Sequence, residues 1–215
     1  MADHSRDYVT PPFLVAAVGA SAGGIDAFAT LARDIPRDAP LAIVLAQHLS
    51  RDRPSALAHI LDQRTALRVT QASDWDRIEP GHVYVIPPGK HMTVIDGHLR
   101  IGPRPPDPWP RQVDALFQSL AEYYRDKAVG IILSGALSDG AAGFVRINAV
   151  GGLTIAQMPE EAQHDSMPRA AIATGDTDMV LPVRDIGREL LRLAKWPRFK
   201  RTHPAGHLAR AKSTG

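Results

Sequence analysis

The chain of 215 residues contains no cysteine. This absence excludes disulfides, thiolate metal ligands and a cysteine nucleophile, so any covalent catalysis must use an oxygen or nitrogen nucleophile. The sequence also lacks an apolar run near the ~18 residues that a membrane-spanning helix needs. Its first eight residues are polar and mixed in charge, without the apolar segment of a secretion signal. We therefore expect a cytoplasmic protein with one domain.

Charge is unevenly distributed along the chain. From Lys195 onward there are six basic residues and no acidic one, which leaves 19 basic and 23 acidic side chains, a net charge of −4, in the preceding 194 residues. This pattern predicts an N-terminal extension at residues 1–12, one domain at residues 13–194 and a basic, mobile tail at residues 195–215. Basic residues do not interleave with the three tryptophans, so nucleic-acid binding is not expected.

Apolar runs alternate with segments of helical periodicity. Runs of strand length at Leu14–Val18, Leu41–Ala46 and Val129–Leu133 each precede apolar residues at helical spacing. Asp96-Gly97, between two short strands, predicts a hairpin turn, whereas the proline-dense segment Gly102–Pro110 predicts a loop. The fold class predicted from this order is α/β, a doubly wound, mainly parallel sheet with helices on both faces, plus a small hairpin in the middle of the chain.

The first predicted strand leads directly into Gly19-Ala20-Ser21-Ala22-Gly23. Gly-x-Ser-x-Gly between a strand and a helix is typical of a nucleophile elbow, in which a tight turn exposes the serine hydroxyl above the sheet edge. Taken alone, this turn equally suits a phosphate-binding loop or a simple packing turn. A nucleotide-binding interpretation is weakened because the segment lacks the Gly-x-Gly-x-x-Gly spacing and a Walker lysine followed by serine or threonine.

A serine nucleophile needs a base and a carboxylate, and two residues suit these roles. His48 directly follows the second strand, and Asp139 lies in the segment after the strand Val129–Leu133. Since parallel strands end at one edge of a sheet, Ser21, His48 and Asp139 are expected to lie together there. Each also has a simpler interpretation, His48 as a hydrogen-bonding residue at a strand end and Asp139 as the N-cap of the next helix. Their joint placement favours a catalytic triad.

Seven motifs along the chain resemble, in the same order, the successive motifs of the CheB-type protein-glutamate methylesterase catalytic domain. The resemblance covers about residues 13–194. Typical members have an N-terminal receiver domain, whereas only about a dozen residues precede the first strand here, so we expect a stand-alone domain without a receiver domain. Other histidines lack metal-ligand spacing, and neither a metal nor an organic cofactor is predicted. The motifs that carry the resemblance are Val18–Gly24, Gln47-His48, Pro87–Met92, Val113–Phe117, Gly130–Gly143, Thr154–Gln157 and Ser166–Ala171.

The resemblance implies an activity and roles for the triad. The protein would hydrolyse γ-glutamyl methyl esters on the cytoplasmic helices of bacterial chemoreceptors and deamidate certain receptor glutamines. Ser21 would be the nucleophile, His48 the general base and acid, and Asp139 the residue that orients His48. Without a receiver domain, control by a separate regulatory protein is one expectation.

Further site residues follow from the same resemblance. The backbone N–H groups of Ala22 and Ala136 are the oxyanion-hole candidates. The substrate-contact candidates are His91, Met92 and Met167.

Two departures from the family pattern keep an alternative open. Ala22 stands where the family commonly has threonine, and Gly135-Ala136-Leu137 stands where it commonly has Gly-Met-Gly. The alternative function is a non-catalytic binding or scaffold module of the same fold in a signalling pathway. The basic tail could bind an acidic receptor helix or an anionic membrane surface without insertion, or it could serve solubility alone and bind no partner.

Overall fold

A computed structural model describes residues 13–49, 55–104 and 111–195. The predicted extension at residues 1–12 and the predicted tail beyond Lys195 lie outside the described residues. The strands are β1 (Leu14–Ala20), β2 (Leu41–Gln47), β3 (Arg68–Gln71), β4 (His82–Val85), β5 (Lys90–Ile95), β6 (His98–Pro103), β7 (Ala128–Ile132), β8 (Leu153–Gln157) and β9 (Met179–Leu181). The α-helices are α1 (Gly24–Ala32), α2 (Leu57–Asp62), α3 (Gln112–Tyr124), α4 (Ala141–Ala149), α5 (Ser166–Ile172) and α6 (Val183–Lys195).

Seven strands pair in parallel in the order β3-β4-β2-β1-β7-β8-β9, and β5 and β6 form a separate antiparallel hairpin. The predicted fold class is confirmed. Within this sheet, β2, β3 and β4 lie on one side of β1, and β7, β8 and β9 lie on the other. The direction in which strands are added therefore reverses between β1 and β7, and in sheets of this kind ligands bind beyond the carboxyl ends of the strands at that point.

Strand β1 is buried on both faces, which is why it is apolar throughout. Its even-numbered residues, from Leu14 to Ala20, pack in a core shared with α1, α2 and α6. Val15 and Ala17 face the opposite core, which is shared with α3, α4, α5 and the hairpin. No helix within the described ranges has the length and apolar character needed to cross a bilayer.

Two local features differ from the sequence prediction. Strand β3 was not predicted, because an edge strand has one partner and its residues Arg68, Thr70 and Gln71 are polar. The loop was predicted to begin at Gly102, but Gly102 and Pro103 continue β6 opposite His91 and Lys90, and residues 105–110 of the predicted loop lie outside the described residues. Proline is compatible with this position at the end of an edge strand, where no sheet hydrogen bond is required of it.

Close packing of α1 against α6 depends on Gly187. A Cβ atom at this position would lie 2.2 Å from the backbone oxygen of Leu31, and backbone cannot swing aside as a flexible side chain does. We expect Gly187→Ala to lower the free energy of unfolding by about 1–3 kcal/mol, as other overpacked sites do. Urea denaturation followed by circular dichroism measures this change.

Gly102 provides the matched control for that substitution. A Cβ atom at Gly102 would meet no heavy atom within 4 Å, so Gly102→Ala is expected to change the free energy of unfolding by less than about 0.5 kcal/mol. Equal effects of the two substitutions would contradict the packing argument.

Candidate active site

Ser21 lies in the tight turn between β1 and α1. Its N–H donates to the backbone oxygen of Ser134 at 3.0 Å, and its own carbonyl accepts from the N–H of Gly24 at 3.0 Å. Gly23 precedes α1 with a φ of +75°, a left-handed conformation that glycine adopts without strain. A Cβ atom at Gly23 would also lie 2.7 Å from the Ser134 hydroxyl oxygen. The strand–turn–helix shape predicted around Ser21 is therefore present.

His48 is held beside this turn by the end of β2. Its N–H donates to the backbone oxygen of Ala20 at 3.1 Å, one residue before Ser21. The imidazole atom Nε2 lies 2.7 Å from Oδ2 of Asp139, and 29% of the histidine side chain is exposed. With Nε2 bound to the carboxylate, Nδ1 is the ring nitrogen left to accept a proton from a neighbouring hydroxyl.

Asp139 is buried, with 3% of its surface exposed, yet its carboxylate has three hydrogen-bond donors. Besides His48, the N–H groups of Val113 and Asp114 donate to it, each at 3.1 Å. Both amides belong to the first turn of α3, where unpaired N–H groups and the helix dipole stabilise negative charge. The simpler interpretation of Asp139 is thus wrong in detail. Gly140 takes the N-cap position of α4, and Asp139 instead caps α3.

Asp114 performs the complementary task for α4. Its Oδ1 accepts from the N–H of Gly143, in the first turn of α4, at 2.8 Å. Burial raises the pKa of the Asp114 carboxyl, and the negative charge of Asp139 acts in the same direction. The two aspartates form a reciprocal pair, in which Asp139 accepts from the first turn of α3, the helix that contains Asp114, and Asp114 accepts from the first turn of α4, the helix that follows Asp139. No separate role for Asp114 was predicted from the sequence, because its partner Gly143 lies 29 residues away.

The two predicted oxyanion-hole donors carry no hydrogen bond among the described residues. The neighbouring amides are used, since Ser21 N–H donates to Ser134 and Gly135 N–H donates to the backbone oxygen of His164 at 2.9 Å. A Cβ atom at Gly135 would lie 3.0 Å from Cβ of Ser21, so the turn that contains Ala136 lies directly against the serine. Ala22 and Ala136 are exposed residues, and their N–H groups have no acceptor among the described residues, so both can donate to a bound oxyanion.

Buried polar side chains hold the backbone around the serine. Ser134 is 1% exposed, its hydroxyl donates to the backbone oxygen of Ala22 at 2.8 Å, and the hydroxyl oxygen accepts from the N–H of His164 at 3.0 Å. Oε1 of Gln157 accepts from the N–H of Ser134 at 2.8 Å. This network ties the β1–α1 turn to the segments that follow β7 and β8.

Gln47 completes the support from the other side of β1. Its Nε2 donates to the carbonyl oxygen of Ser21 at 2.6 Å, while Oε1 has no partner among the described residues. Sequence reasoning did not identify Gln47, Ser134 or Gln157 as site residues. A signal for them exists, because each is a buried polar residue at or just beyond the carboxyl end of an apolar strand.

We expect Ser134→Ala to reduce both stability and any activity that depends on Ser21. The substitution leaves the carbonyl of Ala22 and the N–H of His164 without this partner, at a cost of about 1–3 kcal/mol in the free energy of unfolding. Chemical denaturation and turnover assays measure the two effects.

Ser119 offers a matched control, because its hydroxyl also donates to a backbone carbonyl, that of Leu116, and accepts from a backbone N–H, that of Val94. Ser119→Ala is expected to lower stability similarly and to leave turnover unchanged. Equal loss of turnover in both variants would contradict a specific role for Ser134.

The three predicted substrate-contact residues have different environments. Met92 belongs to β5 of the hairpin and is fully buried on its core-facing side, and Met167 is 1% exposed. The Met167 sulfur would lie 2.1 Å from a Cβ atom at Gly135, and Met167 N–H donates to the Gly135 carbonyl at 3.0 Å. Both methionines therefore pack inside the protein, and Met167 supports the turn next to Ser21. His91 is half-buried, and burial lowers the pKa of its imidazole.

Within the described ranges, no three histidine, aspartate or glutamate side chains form a group that could hold a metal ion. The arrangement that the structure does contain is a turn serine, a half-buried imidazole bound to a buried carboxylate, and two free amides.

Comparison with known proteins identifies relatives. The family model of the CheB methylesterase matches residues 16–190. A Myxococcus xanthus protein, protein-glutamate methylesterase/protein-glutamine glutaminase 1, is 38% identical over 189 residues, which are 86% of this chain and 55% of the relative. A protein-glutamate methylesterase/protein-glutamine glutaminase of Bordetella parapertussis is 39% identical over 180 residues, or 81% of this chain and 51% of the relative. The chain thus spans about half the length of these curated relatives.

Solved structures also include a similar chain. The Thermotoga maritima CheB methylesterase catalytic domain matches with a TM-score of 0.78 and 30% sequence identity, covering 84% of this chain and 98% of that one.

Proposed function

Because this chain belongs to the CheB methylesterase family, we propose that it is a serine hydrolase that removes methyl esters from glutamate side chains of bacterial chemoreceptors and deamidates receptor glutamines. The observation that carries the proposal is the 2.7 Å hydrogen bond between His48 and the buried Asp139, beside the turn that exposes Ser21. The names of the relatives support the same substrate class.

The first half of the reaction forms an acyl-enzyme. Ser21 Oγ attacks the carbonyl carbon of the methyl ester, and His48 Nδ1 accepts the hydroxyl proton. The resulting imidazolium donates through Nε2 to Asp139, which stabilises its positive charge. The negative oxygen of the tetrahedral intermediate accepts from the N–H groups of Ala22 and Ala136, where each donor contributes about 3 kcal/mol in comparable enzymes. Collapse of this intermediate breaks the carbon–methoxy bond, and the proton on Nδ1 leaves with methanol.

The second half restores the serine. Water attacks the acyl carbonyl carbon while His48 Nδ1 accepts its proton. The new tetrahedral intermediate then breaks its bond to Ser21 Oγ, the proton on Nδ1 passes to that oxygen, and glutamate and free Ser21 result. The net reaction consumes one water and yields one methanol. A glutamine substrate follows the same path, except that ammonia takes the place of methanol.

Asp139 makes this proton transfer possible by fixing the tautomer of His48. In the proposed mechanism its carboxylate accepts Nε2–H, so Nδ1 carries no proton and is the ring nitrogen that accepts the proton of Ser21. The α3 amides of Val113 and Asp114 stabilise the carboxylate in its charged form. Burial strengthens this electrostatic interaction, because little water is present to screen it.

We assign the activity to the domain at residues 13–194. Its proposed partners are the methylated helices of receptors in the cytoplasm. The proposed steps use only protein groups and water, so they require neither a metal nor an organic cofactor.

Methanol release from a methylated receptor cytoplasmic fragment tests the proposal, with ammonia release from the corresponding glutamine form as a second readout. We expect release in proportion to enzyme concentration. Stable binding of the fragment without release of methanol or ammonia would instead support the scaffold function.

A further inference from the structure

Leu137 combines two unfavourable properties. It is 77% exposed, the most of any large apolar residue in the described part of the chain, and its φ is +69°. A left-handed backbone conformation favours glycine and disfavours leucine, whose Cβ crowds the neighbouring carbonyl oxygen. Folding gains nothing from either property. Strained residues of this kind are concentrated at functional sites.

The position of Leu137 is set firmly from both ends. On one side, Gly135 is bound through its N–H and carbonyl to the backbones of His164 and Met167. On the other side, the guanidinium of Arg111 donates to the hydroxyl of Ser138. Leu137 thus follows the oxyanion-hole candidate Ala136 directly and stands two residues before Asp139, exposed at the carboxyl edge of the sheet.

From this placement we infer that Leu137 is a specificity-determining residue, which packs against an apolar side chain of the substrate helix. Residues three or four positions from the methylated glutamate lie on the same face of an α-helix as the glutamate itself. When the methyl ester is bound at Ser21, one of these residues contacts the side chain of Leu137 at the edge of the active site. The inference rests on the proposed function and narrows its substrates to methylated glutamates with apolar helical neighbours.

Two helical peptides test the inference. Each contains one γ-methyl glutamate, and the positions three and four residues before and after it are leucine in one peptide and glutamine in the other. The measured quantity is the ratio of kcat/KM between the two peptides for one enzyme. This ratio cancels any general effect of a substitution on folding or chemistry.

The enzymes compared are the wild type, Leu137→Met and Leu137→Asn. Asparagine is close to leucine in size and tolerates a positive φ, but it is polar. We expect the wild type and Leu137→Met to prefer the leucine peptide about tenfold, which corresponds to about 1.4 kcal/mol. Leu137→Asn is expected to bring the ratio close to 1. Leu137→Gly, which removes the strain and the side chain together, is expected to have the same effect as Leu137→Asn.

An unchanged ratio in Leu137→Asn and Leu137→Gly overturns the inference and leaves the esterase activity standing. Two other results overturn the proposed function itself. They are the absence of methanol release from both peptides and methanol release that persists in Ser21→Ala. The two failures are therefore distinguishable in one series of assays.

Discussion

Ser21→Ala is expected to reduce methanol release from a methylated receptor fragment by ~10⁴-fold or more, as loss of the nucleophile does in other serine hydrolases. Alanine has no oxygen with which to form the acyl-enzyme. The fold is expected to remain intact, because the hydrogen bonds of Ser21 described above involve its N–H and carbonyl groups, which alanine retains. Turnover is measured for the wild type and for Ser21→Ala, and their circular dichroism spectra are compared. Equal spectra show that a loss of turnover comes from the chemistry and not from misfolding.

A serine-directed phosphonate probe gives independent evidence for the same residue. The wild type is expected to gain the mass of one adduct, and Ser21→Ala is expected to gain none. Ser73→Ala, at an exposed serine near β3, is the matched control and should be labelled like the wild type. Methanol release that persists in Ser21→Ala would exclude this residue as the nucleophile.

Asp139→Asn has the second largest expected effect, a ~10⁴-fold lower kcat with the backbone in place. The carboxylate faces three donors, with Oδ1 toward Asp114 N–H and Oδ2 toward both Val113 N–H and His48 Nε2. In the variant, an amide NH₂ replaces one of these acceptors. If the NH₂ group replaces Oδ2, it donates to Nε2, and the proton of the neutral imidazole must move to Nδ1. A protonated Nδ1 can no longer accept the proton of Ser21.

Nitrogen NMR of the His48 ring measures this change directly. The N–H of the neutral ring is expected at Nε2 in the wild type and at Nδ1 in Asp139→Asn. Asp34→Asn, at an exposed aspartate after α1, is the control and should retain both the wild-type tautomer and the wild-type kcat. A normal tautomer together with a normal kcat in Asp139→Asn would rule out the orienting role of the carboxylate.

The central strands were predictable from the sequence, whereas the edge strand β3 was not. β1 and β2 are buried on both faces, so their residues form continuous apolar runs that stand out in a single sequence. β3 is a short edge strand of polar residues, and its pairing with β4 depends on a partner that lies farther along the chain. Local composition carries no trace of such a partner.

The same distinction applies to the candidate site. Ser21 and His48 follow apolar strands at once, which allowed both to be placed at one sheet edge from the sequence. Ser134 and Gln157 stand at the ends of apolar strands, which is a local signal, but their hydrogen-bond partners lie in distant segments that a local pattern does not identify. Met92 was misplaced for another reason, because a motif gives the position of a residue but not the direction of its side chain, which here points into the core.

The reciprocal pair of Asp139 and Asp114 links catalysis to the cooperativity of unfolding. The carboxylate that orients His48 also secures the start of α3, and the first turn of α3 contains the aspartate that secures the start of α4. Neither helix start can open locally without breaking the hydrogen bonds to its capping carboxylate. We therefore expect the amides of Val113, Asp114 and Gly143 to exchange with solvent as one unit. Opening of these two helix starts also frees the Asp139 carboxylate that orients His48. We therefore expect activity to be lost in denaturant together with the unfolding of the first turns of α3 and α4.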